Sequence, residues 1–165
     1  MNLLLRIAAI PLALAVLTAA VIGEDEKARH AELDAYWAEV SRTVKEGDFE
    51  GYAAGCHEEA VFVSGIKMAA YPLSKALARW KQEFVDTKAG KRISNVTFRF
   101  SQRLGDATTA HETGIFVYSF QQGTEEPRKE FIHFEALLVK KQGGWKILME
   151  YQKSAATEAE WAALR

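Results

Sequence analysis

The chain has 165 residues, 21 Lys and Arg against 22 Asp and Glu, 48% hydrophobic residues and a single cysteine. That length holds one domain with a proper core rather than two, and the near-neutral, mixed charge excludes an electrostatic case for nucleic acid or an anionic membrane. The lone Cys56 excludes an internal disulfide framework; such a cysteine is more often a buried small hydrophobe than a reactive thiol.

Residues 1–23 read as a secretory signal peptide, and 24–165 as a single domain. Arg6 precedes an apolar run, Ile7 to Ile22, broken only by Pro11 and Thr18, with small residues at Thr18-Ala19-Ala20 and Gly23. Glu24-Asp25-Glu26 then turns the chain acidic at once. This layout predicts cleavage after Ala20 or Gly23 and a periplasmic or secreted protein with no stable membrane anchor. An uncleaved anchor is the alternative, but the run falls short of the roughly 20 apolar residues that a spanning helix takes. No cysteine lies near the junction, which speaks against a lipid anchor. Without Arg6 the chain keeps 20 basic and 22 acidic residues, a net charge of −2.

From Ala28 to Glu46, Leu33, Tyr36, Trp37, Val40 and Val44 recur at helical spacing and mark one apolar face. Gly47 ends this helix, and Asp48 caps a short second one from Phe49 to Gly55. Ala60 to Ser64 predicts a strand, Gly65 to Tyr71 an irregular stretch, and His57-Glu58-Glu59 a solvated turn. Pro72 and Ser74 then open a third helix that runs to about Lys88, with Leu73, Leu77, Trp80, Phe84 and Val85 inward.

From Ile93 to Lys153 the sequence reads as four long strands. Glycine-bearing turns separate them at Gly105-Asp106, Gln122 to Pro127, and Gly143-Gly144. Val96, Phe98 and Phe100 alternate with polar residues, whereas Ile115–Tyr118, Leu137–Val139 and Ile147–Met149 are apolar on both faces. Two-sided burial predicts a cover on the outer face, and a second subunit is the economical candidate. Thr157 to Leu164 predicts a short terminal helix.

Three stretches carry a resemblance. Glu46-Gly47-Asp48-Phe49-Glu50, His57-Glu58-Glu59-Ala60-Val61-Phe62 and Lys141-Gln142-Gly143-Gly144-Trp145-Lys146-Ile147, in this order and spacing, resemble motifs of the nuclear transport factor 2-like superfamily. That superfamily includes ketosteroid isomerases and SnoaL-like cyclases. The resemblance implies an α+β fold: a cone-shaped roll of curved antiparallel sheet wrapped around three N-terminal helices, with a short C-terminal helix, a pocket at the wide end, and homodimers through the outer sheet face. Within it, the isomerases work with a carboxylate base beside a tyrosine and a protonated aspartic acid. Set in register, Val40 falls at the tyrosine (Tyr36 lies one turn earlier), Ser64 at the base and Glu135 at the protonated acid. Valine donates no hydrogen bond and serine alone is no base near neutral pH, so the resemblance carries the cone without the isomerase mechanism.

Glu135 is the leading candidate for chemistry, because Phe134-Glu135-Ala136-Leu137-Leu138 sets a carboxylate in an apolar strand centre. Such a group is costly unless paired or protonated, so a pocket-facing Glu135 would have a raised pKa; a surface Glu paired with Lys or Arg is the alternative. His133 shares its face, and His111 with Glu112 lies on the preceding strand. A metal site from His111, His133 and Glu135 lacks a ligand motif, and no metal is expected. Tyr36, Val40, Phe62, Ser64, Trp80, Phe84, Phe116, Tyr118 and Tyr151, with His111, are the expected pocket residues. No phosphate loop, Ser/His/Asp spacing or Cys/His pair occurs, so no cofactor is expected. The expected function is an exported protein binding a small organic ligand that is apolar with one or two polar groups, with weak or no catalysis. Two alternatives stand beside it: an isomerase, cyclase or dehydratase moving protons with Glu135 and His133, and a structural homodimer whose cone is plugged by Trp80, Phe84 and Phe116.

Overall fold

A computed structural model describes the backbone of residues 10–164 and the side chains from Asp25 onward. The first nine residues of the expected leader lie outside the described residues. The elements are α1 (Ile10–Glu46), α2 (Phe49–Ala54), β1 (Cys56–Ser64), β2 (Ala69–Pro72), α3 (Leu73–Lys88), β3 (Arg92–Gly105), β4 (Thr109–Gln122), β5 (Arg128–Lys141), β6 (Gly144–Ala155) and α4 (Glu158–Ala163). The helix expected from Ala28 therefore begins at Ile10; Pro11 sits in its first turn, where a missing N–H costs nothing. Among the described residues no helix is long and apolar enough to cross a membrane.

Gly47 makes the break between α1 and α2. Its φ is +68°, and a Cβ there would run into the backbone of Phe84 and Lys88 on α3, so three helices converge on a residue with no side chain. Asp48 caps α2 by accepting from the Gly51 N–H at 2.9 Å. Downstream, three expectations change. His57-Glu58-Glu59 lies within β1 rather than in a turn, because the chain pairs with β6 as soon as α2 ends. Part of the irregular stretch pairs back on β1 as β2, around a turn where Met68 takes φ +47° and Ser64 Oγ accepts from the Lys67 N–H at 3.1 Å. Pro72, not Ser74, is the N-cap of α3, and Val85 stays half exposed.

The six strands lie in the order β2-β1-β6-β5-β4-β3. Every neighbouring pair is antiparallel except β1 with β6, so the sheet is mixed rather than wholly antiparallel. That parallel pairing covers the edge β6 would otherwise expose. Bulges bend the long strands: the register skips Ser101 on β3, and Leu148 and Lys153 on β6. The curved sheet closes on α1 and α3 around Leu33, Trp37, Phe62, Leu73, Phe134 and Leu138.

The outer face is partly covered from within the chain. Ala156 N–H donates to Phe131 O at 2.8 Å, turning the tail back across the sheet. Arg99 then donates to the carbonyls of Trp161 and Leu164 at 2.8 and 2.9 Å, its guanidinium 4.5 Å from the Trp161 ring centre. Ile115, which pairs with Arg99 and His133 on its two sides, is 2% exposed. A short helix thus supplies part of the cover that the sequence pattern assigned to a second subunit.

Gly90 has nearly the same φ as Gly47, +70°, but open space where a Cβ would stand. Gly90→Ala should therefore cost only the left-handed backbone penalty, about 1 kcal/mol, while Gly47→Ala adds backbone overlap and should cost about 3 kcal/mol or more. Urea unfolding of the two variants compares them; equal losses would contradict the three-helix convergence.

Candidate functional site

Alternation on β5 sorts its side chains cleanly. Ile132, Phe134, Ala136 and Leu138 are buried, and the odd-numbered residues between them are half-buried on the other face. The buried side of the sheet and the helices enclose a cavity of about 340 Å³. Tyr36, Val40, Phe62, Ser64, Trp80, Phe84, Phe116 and Tyr118 stand on its wall, as do Trp37, Tyr52, Phe98 and Phe134. The sequence missed Tyr52, and more importantly Glu83, Arg92, Glu150 and Gln152, which also line it.

His111, His133, Glu135 and Tyr151 are not on that wall. Glu135 shares the outer face with Tyr151, its register partner. Lys153 Nζ donates to its Oε1 at 2.6 Å, and His111 Nε2 lies 3.3 Å from Oε2. The Lys153 ammonium holds this carboxyl below the usual range against the opposing effect of burial, with a lesser contribution from His111. The expectation of a raised, pocket-facing Glu135 is therefore corrected: the paired-surface alternative is the one realised. His133 turns to the tail instead, 3.4 Å from Glu160. Among the described residues no three His, Cys, Asp or Glu side chains gather to hold a metal ion.

The carboxylate inside is Glu150. Trp145 and Ile147 on β6 point inward; Leu148 is then left unpaired between Leu137↔Met149 and Leu138↔Ile147, which reverses the parity. Glu150 and Gln152 consequently face the cavity, opposite Ala136 and Phe134. Glu150 is half-buried and stands on the wall of the cavity. Burial pushes its carboxyl up to about 7, although the Gln152 amide donates to it at 2.7 Å and pulls the other way.

Its neighbours are all held neutral. Burial first, and the Glu150 charge with it, raises Tyr36 and Tyr52 and pushes the Cys56 thiol up to about 12, so Cys56 is not a thiolate nucleophile. The Tyr36 hydroxyl is committed to Gly55 O at 3.1 Å and is not free to polarise a ligand. Glu150 is thus the one group deep in the chamber that can exchange a proton near neutral pH. At the mouth, Tyr118 OH donates to Glu83 at 2.8 Å, and Arg92 reaches both from 3.2 Å, tying α3 to the sheet.

No protein-family model matches the chain, and no curated protein matches it. Solved structures do. A protein of unknown function from Shewanella oneidensis, described as NTF-2-like, superposes with a TM-score of 0.57 at 15% identity, over 74% of this chain and 97% of its own. ActVI-ORFA from Streptomyces coelicolor gives 0.61 at 15%, over 80% and 98%. The fold is the nuclear transport factor 2-like cone. The beta subunit of benzoate 1,2-dioxygenase from Burkholderia mallei shares this cone, with a TM-score of 0.62 at 14% identity over 79% and 91%. At such identities the likeness shows the fold and carries neither ligand nor reaction across.

Two carboxylates on adjacent strands of the cone thus have opposite environments, and pH separates them. Glu150 keeps a proton in the fold that the unfolded chain releases near pH 4.5. Its stabilisation is complete below that value and is lost as pH rises through about 7, a change of about 3 kcal/mol. Glu150→Gln should therefore gain on the parent protein steadily between these limits. Glu135, with a lowered pKa, contributes above its unfolded value and loses that contribution as pH falls. Glu135→Gln should cost less than about 1 kcal/mol at neutral pH, because its ion pair is partly solvated. Denaturant midpoints across pH check both; parallel curves for the parent protein and Glu150→Gln would contradict the assignment.

Proposed function

We propose that the chain binds a small apolar molecule in its cone, with Glu150 as the polar group that meets it. The observation that carries this is the Glu150 carboxyl, pushed up to about 7 by burial, on the wall of a ring-lined cavity of about 340 Å³. That volume lies within the range of small-molecule pockets. The protonated carboxyl donates a hydrogen bond to a carbonyl or hydroxyl of the ligand, while the rings take its hydrocarbon body. A plugged, purely structural cone is disfavoured: Trp80, Phe84 and Phe116 line the space rather than fill it.

A second reading, an isomerase, cyclase or dehydratase, has its own support with the roles reassigned. Glu135 and His133 face away from the cavity, but a carboxyl at about 7 is poised both to take and to give a proton. Export through the apolar leader, and pairing of two copies through the outer sheet face left open by α4, belong to the same proposal. Protein starting at Met1 when isolated from its native host would contradict export, and a monomer in sedimentation at tens of micromolar would contradict pairing.

Calorimetry with 2-acetonaphthone and its hydrocarbon counterpart 2-ethylnaphthalene tests the binding reading. The ketone should bind about tenfold more tightly, and Glu150→Leu should remove that preference, as expected for one buried hydrogen bond. Absence of binding by both compounds would overturn it. In deuterated water, exchange of the ketone methyl protons that Glu150→Gln abolishes would mark proton transfer and favour the enzyme.

A further inference from the structure

Five charged side chains line the cavity mouth or wall beside Glu150: Lys67, Arg79, Glu83, Arg92 and Glu130. Two of them cancel. Arg92 stands 3.2 Å from Glu83, donates to Ser94 Oγ and Gln122 Oε1 at 3.1 and 3.2 Å, and lies 4.2 Å from the centre of the Phe120 ring. It is a fastening between α3 and the sheet, with little left to offer a ligand.

The opposite lip differs. Arg79, on α3, lies over the Tyr71 ring at 5.2 Å and donates to the Tyr71 hydroxyl. Tyr71 in turn stacks at 5.3 Å on Phe62, which is part of the buried wall. Lys67 sits in the β1–β2 turn, fixed through its backbone by Ser64. Among the described residues neither Lys67 nor Arg79 has a carboxylate within ion-pairing distance. Both remain exposed. Glu130 is the counterweight, but it belongs to β5, beside Tyr118 on the other side of the mouth. The chamber is therefore polar in a fixed direction: rings and one carboxyl inside, two unpaired cations on one lip.

Resting on the reading of the cone as a small-molecule pocket, we propose that it takes an amphipathic organic anion. The aromatic or polycyclic body enters against the rings, and a carboxylate or sulfonate stays outward between Lys67 and Arg79. Desolvation opposes the reverse orientation, since an anion buried among the rings would give up its hydration with no unpaired cation there to replace it. An anion held at the lip keeps part of its hydration and gains two cations, one of them a planar guanidinium suited to a carboxylate or sulfonate.

Two probes that differ only by an anionic group decide it: 8-anilinonaphthalene-1-sulfonate and neutral N-phenyl-1-naphthylamine. With the intact protein the sulfonate should bind about tenfold more tightly, and raising the salt should weaken it selectively. Lys67→Glu and Arg79→Glu, singly and together, should abolish that advantage and leave the neutral probe within about twofold, because both residues are at the surface and outside the core. Unchanged circular-dichroism melting establishes that the variants fold. Equal affinity of the two probes for the parent protein, or equal weakening of both by the substitutions, would overturn the anion inference while leaving the pocket. Failure of both probes to bind would overturn the pocket reading itself.

Discussion

A β-strand shows successive side chains to opposite faces, so one unpaired residue exchanges everything beyond it. On β6 that residue is Leu148. Up to Ile147 the odd positions face inward; after it Glu150 and Gln152 do. Without the bulge, Met149 and Tyr151 would enter the chamber and Glu150 would join Glu135 on the outer face, where it would be one more solvated carboxylate. The place of Glu150 in the chamber depends on this break in the ladder.

The rest of the architecture holds the chamber around that group. Trp37 is fixed at the core end by Glu112, which is fully buried and accepts from both the Trp37 indole N–H and Arg103 Nε. Arg103 is held from the other side by Asp34 on α1, at 2.6 Å. A buried carboxylate paired in this way is costly to break, at about 3–5 kcal/mol, so the network fixes how α1 lies against β3 and β4. The Trp37 ring then presents its far side to Phe98, at 4.5 Å, and Phe134, at 5.7 Å. At the other end the Glu83, Arg92 and Tyr118 cluster sets the distance between α3 and the sheet. Rigid braces at both ends keep the space between them from collapsing.

The order of elements was legible because each carries a local signal: helical spacing in Leu33–Val44, Gly47 before Asp48, and glycine turns between strands. The edge strand β2 was not, since four residues beside an unusual Met68 conformation hold no periodicity to read. The parallel β1–β6 pair was also hidden, because pairing between distant segments leaves no mark on either one alone. For the site, the aromatic wall was read largely in the right places, yet the carboxylate was assigned to the wrong strand. Glu150, between Met149 and Tyr151, is as much a carboxylate among apolar strand neighbours as Glu135 is. What separates them is Lys153 and His111 beside one, and the Leu148 bulge beneath the other. Tyr151, expected on the pocket wall with the other aromatics, stands on the outer face because the same bulge reverses the alternation of β6.

The Leu148 bulge turns Glu150 into an apolar chamber where its charge is disfavoured. Titration of the Glu150 side-chain carboxyl by NMR tests this most directly, with Glu150→Gln to assign the resonance. A midpoint near 7, well above the ordinary 4.5, is the expected result. A midpoint at or below that ordinary value would place Glu150 in solvent or in an ion pair and remove it from the apolar chamber.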